Sequence, residues 1–184
     1  MDWNMRKIFI FFSKAMFSMI YDSDYLQGKW FDNNTYGWKI CWKYFWFQKI
    51  WGFNRHIPFP VCPFSTFGDA SKIKFDIDNI DNFWKNSVYF QSWNGMITIG
   101  KGTWIAPGVG IITENHNPLN LNEHMQKEDV IIGDNCWIGM NAVLLPGVVL
   151  GSRTIVGAGA VVTKSFKEGN CVLAGVPAQI VKLL

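Results

Sequence analysis

The sequence predicts an all-β solenoid, a parallel β-helix, with an aromatic-rich helical extension before it and one extruded loop within it. Three observations carry that reading. Aliphatic residues recur every six positions in the C-terminal half: Ile99, Ile105 and Ile111, then Ile132, Ile138, Leu144, Leu150, Val156 and Val162. A six-residue period fits neither an amphipathic helix nor the alternation of an ordinary strand, and a fixed hexapeptide period marks a β-helix. Residues 1–66 hold six of the ten tryptophans and show no such period. Between Ile111 and Ile132 the repeat breaks.

The positions between the aliphatics agree with a prism. Glycine follows the aliphatic at 100, 133, 139, 151 and 157, and alanine at 106. Two places further on stand Gly102, Gly108, Asn135, Asn141, Gly147 and Gly159. Gly and Asn tolerate the left-handed backbone angles of a sharp corner. Next come small or β-branched residues, Thr103, Val109, Cys136, Ala142, Val148, Thr154 and Ala160. Each hexad then gives one flat strand and one corner, and three hexads close one coil. The aliphatic points inward and stacks on its equivalent in the next coil. Chance spacing in a β-rich domain would not restrict three positions of the hexad together.

The stretch IIGDNCWIGMNAVLLPGVVLGSRTIVGAGAVVTKSFKEGNCVLAGVPAQIV, ending at Val181, and ITIGKGTWIAPGVGIITENHN, starting at Ile97, cover about two fifths of the chain. They resemble the hexapeptide-repeat O-acetyltransferases, nearest to the enzymes that modify sugars and polysaccharides. The resemblance implies a left-handed winding, an exception to the usual right-handed crossover. It also implies acetyl-CoA as co-substrate without a metal, a homotrimer with sites at subunit interfaces, and a sugar hydroxyl as acceptor. Matched motif to motif, Trp137 lines the groove near the thioester. Met140, Gly157, Ala158, Thr163 and Lys164 follow the pantetheine arm. The tail AGVPAQIVKLL keeps one basic residue, Lys182, where the family meets the nucleotide, and has Gln179 in place of another.

The break places the candidate site. Ile111 to Ile132 is 21 residues, three more than a coil of three hexads. Residues 117–129, NPLNLNEHMQKED, are polar and aperiodic, and are expected to leave the prism as a loop. Loops held by a rigid scaffold concentrate function. His116 stands at the root of that loop, and the resemblance makes it the general base. An imidazole, titrating near neutrality, suits proton transfer from a hydroxyl. Glu114, two residues earlier, could orient the ring, and a backbone carbonyl could do so equally. Gln91, Trp93, Asn115 and His124 are the candidate acceptor contacts, with a solvated loop residue as the plain alternative for His124. His56, beside Pro58, is expected to serve packing.

The N-terminal third is different material. Residues 8–20 and 38–53 read as helices, the first an apolar run holding Lys14 and the second interleaving Trp and Phe with Lys39, Lys43 and Lys49. Neither run reaches the roughly 18 apolar residues needed to cross a bilayer. The plain expectation is that their aromatic faces pack on the β-helix flank or on a neighbouring subunit, with a partly exposed basic rim. The sharper one is a helix lying on an anionic membrane. Residues 67–94 show no register, and strands are expected near 73–77 and 88–91. The division is thus an extension over 1–66, the β-helix over 67–177 with its loop at 117–129, and a tail over 178–184. An aromatic, basic extension suits enzymes that decorate capsule or lipopolysaccharide building blocks, with a small free sugar or a xenobiotic alcohol as the alternative.

Composition narrows the rest. At 184 residues the chain can bury one core. A net charge of +3, scattered, gives no argument for nucleic acid. The four cysteines lack metal-like spacing, and reduced thiols in a cytoplasmic protein are expected. An acidic start at Asp2 and no cleavage site speak against a secretory leader. A γ-class carbonic anhydrase would need three histidines on the prism, where only His116 and His124 lie in or near it. A lattice-binding scaffold would show threonine ladders, and none is present.

Overall fold

A computed structural model describes residues 3–184. Met1 and Asp2, on which the acidic start rests, lie outside the described residues. The chain divides into two compact units, Met1–Pro63 and Phe64–Leu184.

The first unit is helical. Helix α1 (Trp3–Phe17) and α2 (Tyr36–Phe45) pack together, and a π-helical turn, Trp46–Ile50, continues α2. Ser13 and Phe17 mark the buried side of α1. Phe17 meets Trp42 edge-on at 5.1 Å between ring centroids, and the Trp42 indole N–H donates to Ser13 Oγ at 3.0 Å. Gln48 is fully buried and satisfied. Its Oε1 accepts from the Tyr21 hydroxyl at 3.0 Å and the Val61 N–H at 3.2 Å, and its amide donates to the Phe59 carbonyl at 2.9 Å. A buried amide so fully paired fixes the aromatic core in one arrangement.

The second unit is the coiled sheet. Its strands in chain order are β1 (Thr66–Phe67), β2 (Ile73–Phe75), β3 (Tyr89–Gln91), β4 (Ile97–Ile99), β5 (Trp104–Ile105), β6 (Gly110–Ile112), β7 (His116–Asn117) and β8 (Asn120–His124). There follow β9 (Val130–Ile132), β10 (Trp137–Ile138), β11 (Val143–Leu144), β12 (Val149–Leu150), β13 (Thr154–Val156), β14 (Val161–Val162), β15 (Cys171–Ala174) and β16 (Gln179–Leu183). Three sheets form the faces. The first runs β1-β3-β6-β11-β14, the second β2-β4-β9-β12, and the third β5-β10-β13-β15-β16. Pairing within the faces is parallel except between β15 and β16.

The aliphatics stack as the hexad requires. Ile105, Ile138 and Val156 are in register on the third face, followed by Leu173. Ile111, Leu144 and Val162 stack on the first, and Ile99, Ile132 and Leu150 on the second. All nine are buried. The expected strands near 73–77 and 88–91 correspond to β2 and β3.

The corner positions show two distinct uses of glycine. Gly102, Gly108, Asn135, Asn141, Gly147 and Gly159 have positive φ, as the bend demands. Arg153 takes the same conformation, at φ 60°, and was not singled out in the sequence. Gly139 is required for a different reason: a Cβ there would stand 2.7 Å from the Ala158 nitrogen of the next coil.

The first coil is closed by asparagines. Between β2 and β3 the third face has no strand but a 3-10 helix, Ile77–Trp84. Buried Asn82 donates to the Thr103 carbonyl at 2.9 Å and accepts from the Ile105 N–H at 2.8 Å. Asn79 donates to the Gly100 carbonyl and accepts from the Gly102 N–H at 3.0 Å. Asn82 thus occupies the open edge of β5 and Asn79 that of the corner before it, which would otherwise present unpaired backbone groups.

The break differs from its expected form in two ways. Ile132 stacks directly on Ile99, so the segment from Ile111 replaces one hexad instead of extending a whole coil. The expelled residues are also ordered: β7 and β8 form an antiparallel hairpin. The tail adds strand β16 to the third face by turning back on β15.

Candidate functional site

The hairpin is assembled from its base. β6 ends at Ile112, and the Gln91 side chain then holds the next two residues. Its Oε1 accepts from the Thr113 and Glu114 N–H groups at 2.8 and 3.0 Å, and its amide donates to the Glu114 carbonyl at 3.1 Å. Gln91 was expected to touch the acceptor. Its amide is hydrogen-bonded to this backbone, so it supports the root of the hairpin.

Glu114 is 6% exposed. Both of its oxygens accept from the Asn94 amide, at 2.9 and 2.8 Å. Its Oε1 also lies 3.1 Å from His124 Nδ1. A buried carboxylate demands such partners. The sequence offered Glu114 as the orienter of His116, and the structure gives it to His124. Asn94 was not anticipated, because it lies between β3 and β4 in a segment without register.

His116 is oriented by the backbone alternative. Its Nδ1 lies 2.8 Å from the Leu121 carbonyl across the hairpin. A carbonyl only accepts, so Nδ1 carries the proton, and Nε2 is left with its lone pair. The His116 and His124 rings stand 4.4 Å apart between centroids, tilted at 43°. The strap returning to the prism is pinned as well. Met125 N–H donates to the Asn115 carbonyl at 2.8 Å, Glu128 N–H to the Thr113 carbonyl at 2.8 Å, and the Lys127 ammonium to the Asn94 carbonyl at 3.0 Å. Asn115 and Trp93 are exposed beside this assembly, and Trp93 packs 5.9 Å from the Tyr89 ring.

The remaining candidates lie elsewhere on the prism. Trp137 is in β10 on the third face, in register with Trp104, and both rings are about half exposed. Met140 is exposed at the following corner, and Gly157 and Ala158 follow β13 on the same face. Thr163 and Lys164 follow β14 on the first face. The Lys164 ammonium donates to Gln179 Oε1 at 3.4 Å, and Lys182 lies opposite Val172 on β16. Gln179 is therefore a partner of Lys164. His116 follows a first-face strand, whereas Trp137 sits on the third face.

Other reactive groups are quiet. All four cysteines are free and buried, and burial raises the Cys136 and Cys41 thiols above their ordinary range. Among the described residues no three His, Cys, Asp or Glu side chains are grouped to hold a metal ion, and no helix is long and apolar enough to cross a membrane.

Residues 129–164 match the bacterial transferase hexapeptide (six repeats). Galactoside O-acetyltransferase of Escherichia coli K12 is 38% identical over 89 residues, which cover 47% of this chain and 43% of that protein. The chain spans about half the length of the curated relatives it matches. The crystal structure of a maltose O-acetyltransferase from Clostridium difficile 630 superposes with a TM-score of 0.51 at 32% identity, over 61% of this chain and 63% of that one. A hexapeptide-repeat acetyltransferase from Vibrio cholerae, complexed with acetyl coenzyme A, gives 0.51 at 26% identity, over 65% and 68%.

Proposed function

We propose that this chain, a member of the hexapeptide-repeat transferases, moves an acetyl group from acetyl-CoA to a hydroxyl of a sugar. The observation that carries the reading is the His116–Leu121 hydrogen bond. It fixes the tautomer in which Nε2 can take a proton, at the point where a rigid prism meets an ordered hairpin. His116 Nε2 removes the hydroxyl proton as the sugar oxygen attacks the thioester carbonyl. The tetrahedral oxyanion collapses, the carbon–sulfur bond breaks, and the imidazolium returns its proton to the departing thiolate. The products are the sugar ester and free CoA, with no covalent enzyme intermediate and no metal. A base in this role is worth about 10²–10⁴ in rate.

Trp137, Met140, Gly157 and Ala158 line the path of the pantetheine arm, and Thr163, Lys164 and Lys182 lie toward its nucleotide end. The small residues let backbone approach the ligand, and the lysines act as mobile point charges toward phosphate. His116 follows a first-face strand and Trp137 lies on the third face, which favours a homotrimer in which one copy supplies the base and another the coenzyme wall. The winding is left-handed, as in the family. Trp93, Asn115 and His124, exposed around the hairpin, face the acceptor. The acceptor is a capsule or lipopolysaccharide building block, and the aromatic, cationic first unit supports that choice over a small free sugar. The protein works in the cytoplasm in this reading.

The test is thiol release from acetyl-CoA by the full chain with a panel of galactosides, glucosides and nucleotide-linked sugars. Acetyl ester on a sugar, lost in His116→Ala with acetyl-CoA binding kept, supports the reading. A His116→Ala protein active within a few-fold of the parent eliminates His116 as the base.

A further inference from the structure

Helix α1 leaves one whole face uncovered. Ser13 and Phe17 are buried, yet Ile8, Phe11 and Phe12 are 57%, 70% and 65% exposed. Ile8, Phe12 and Ala15 form one row at helical spacing, and Lys7, Phe11 and Lys14 form the row beside it. The helix contains no acidic residue. The Lys7 ammonium lies 3.4 Å above the Trp3 ring, and exposed Trp3 ends the same cationic edge. α2 and the turn after it repeat the composition, with Lys39, Trp42, Lys43 and Trp46 exposed at i, i+3, i+4 and i+7. The inner sides of these helices pack on each other, as Phe17 on Trp42, and their outer aromatic sides are exposed.

Charge says what covers this face. Residues 1–63 carry eight Lys and Arg against four Asp and Glu, giving +4. Residues 64–184 carry nine against ten, giving −1. The net positive charge therefore resides in the unit that exposes the apolar rows. A second copy of the same face would bring Lys7 and Lys14 against like charges, which disfavours self-pairing. A polyanion alone would leave Ile8, Phe11 and Phe12 without a partner. An anionic bilayer surface satisfies both, since apolar side chains enter the acyl boundary while ammonium groups meet phosphates. The 15 residues of α1 span only about 22 Å at 1.5 Å per residue, short of a hydrocarbon core of about 30 Å. The helix must then lie in the plane of the interface.

We propose that the outer face of α1 docks the protein reversibly on a membrane surface rich in anionic phospholipid. This goes beyond acetyl transfer and is read without turnover, so its failure and that of the enzymatic reading are separable. The experiment is flotation of the full chain with phosphatidylcholine vesicles, with and without phosphatidylglycerol, at low and high salt. The chain is expected to float with the anionic vesicles at low salt, to be released by salt, and to bind neutral vesicles weakly. Lys7→Gln with Lys14→Gln should weaken partitioning about tenfold or more, and Phe11→Ser with Phe12→Ser should weaken it comparably. Unchanged melting and light scattering would show that both variants keep their fold and assembly. Absence of the parent chain from the anionic vesicles overturns the proposal, as does equal retention of folded variants. A Phe11→Ser/Phe12→Ser protein of lower mass than the parent, with no lipid retention by either, would show that another copy covers the face.

Discussion

The Glu114 carboxylate holds His124 at 3.1 Å, and the Leu121 carbonyl, three residues before His124, holds His116 at 2.8 Å. The two contacts lie on opposite ends of one mechanical link. Fixing His124 fixes strand β8, and β8 carries the carbonyl that selects the His116 tautomer. Asn94 completes the link by holding both oxygens of Glu114.

Glu114→Ala removes the acceptor for Asn94 and His124 together. Amide exchange across residues 116–124 should accelerate by about tenfold or more, because local opening is set by such contacts. Turnover should fall about tenfold while acetyl-CoA affinity is kept, since misplacing a base costs rate before binding. Hydrogen exchange read beside steady-state kinetics checks both. Unchanged exchange with unchanged turnover would show that β7 and β8 hold themselves.

Ile138 is fully buried between Ile105 and Val156. Ile138→Ala should cost about 2–5 kcal/mol, the sum of lost burial and a cavity that stacked coils cannot close. Denaturant melts of the full chain measure it. Ile138→Asp should not fold, and a soluble, normally melting Asp variant would mean that the inward phase of the hexad is wrong.

The stacking was legible because one residue type serves one purpose at a constant spacing. Ile105, Ile138 and Val156 can be aligned by counting. The asparagine closure was not legible, since Asn79 and Asn82 act on the edge of a strand more than twenty residues later and carry no period. Nor was the hairpin, whose β8 is exposed at every residue and has no apolar alternation to display. The Glu114–His124 pair depends on that hairpin and was hidden with it. Two answers were open for the group that orients His116, and distance along the chain could not choose between them.

Arg153 is the corner that the residue types concealed. It takes φ 60° where the equivalent corners carry Gly or Asn. A non-glycine residue in this region is strained by about 1–2 kcal/mol, of which glycine's greater freedom in the unfolded chain returns part. Arg153→Gly should therefore raise stability by about 1 kcal/mol, while Arg153→Val, branched at Cβ, should lower it. Paired denaturant melts decide. A destabilised Gly variant would mean that the Arg153 side chain contributes more than its backbone costs.

The first unit should be vulnerable to alkali in a manner set by its buried acids. Burial raises the Cys41 thiol and the Tyr21 phenol well above their ordinary values, and it pushes Tyr44 up to about 12. In the unfolded chain a thiol ionises near about 8.5 and a phenol near about 10. The unfolded state thus releases these protons first, so each group contributes full stability below its unfolded value and loses it as pH rises toward the folded one. Stability should be flat to about pH 8.5, fall first through Cys41, and fall more steeply above about pH 10 as Tyr21 and Tyr44 join. Tryptophan emission under reducing conditions should follow it, because Trp38 and Trp42 lie in the same unit. In Cys41→Ala the onset should move up to about pH 10, even though the variant starts less stable. A melting midpoint level from pH 7 to pH 11 would show that the buried phenols and thiol reach water without unfolding.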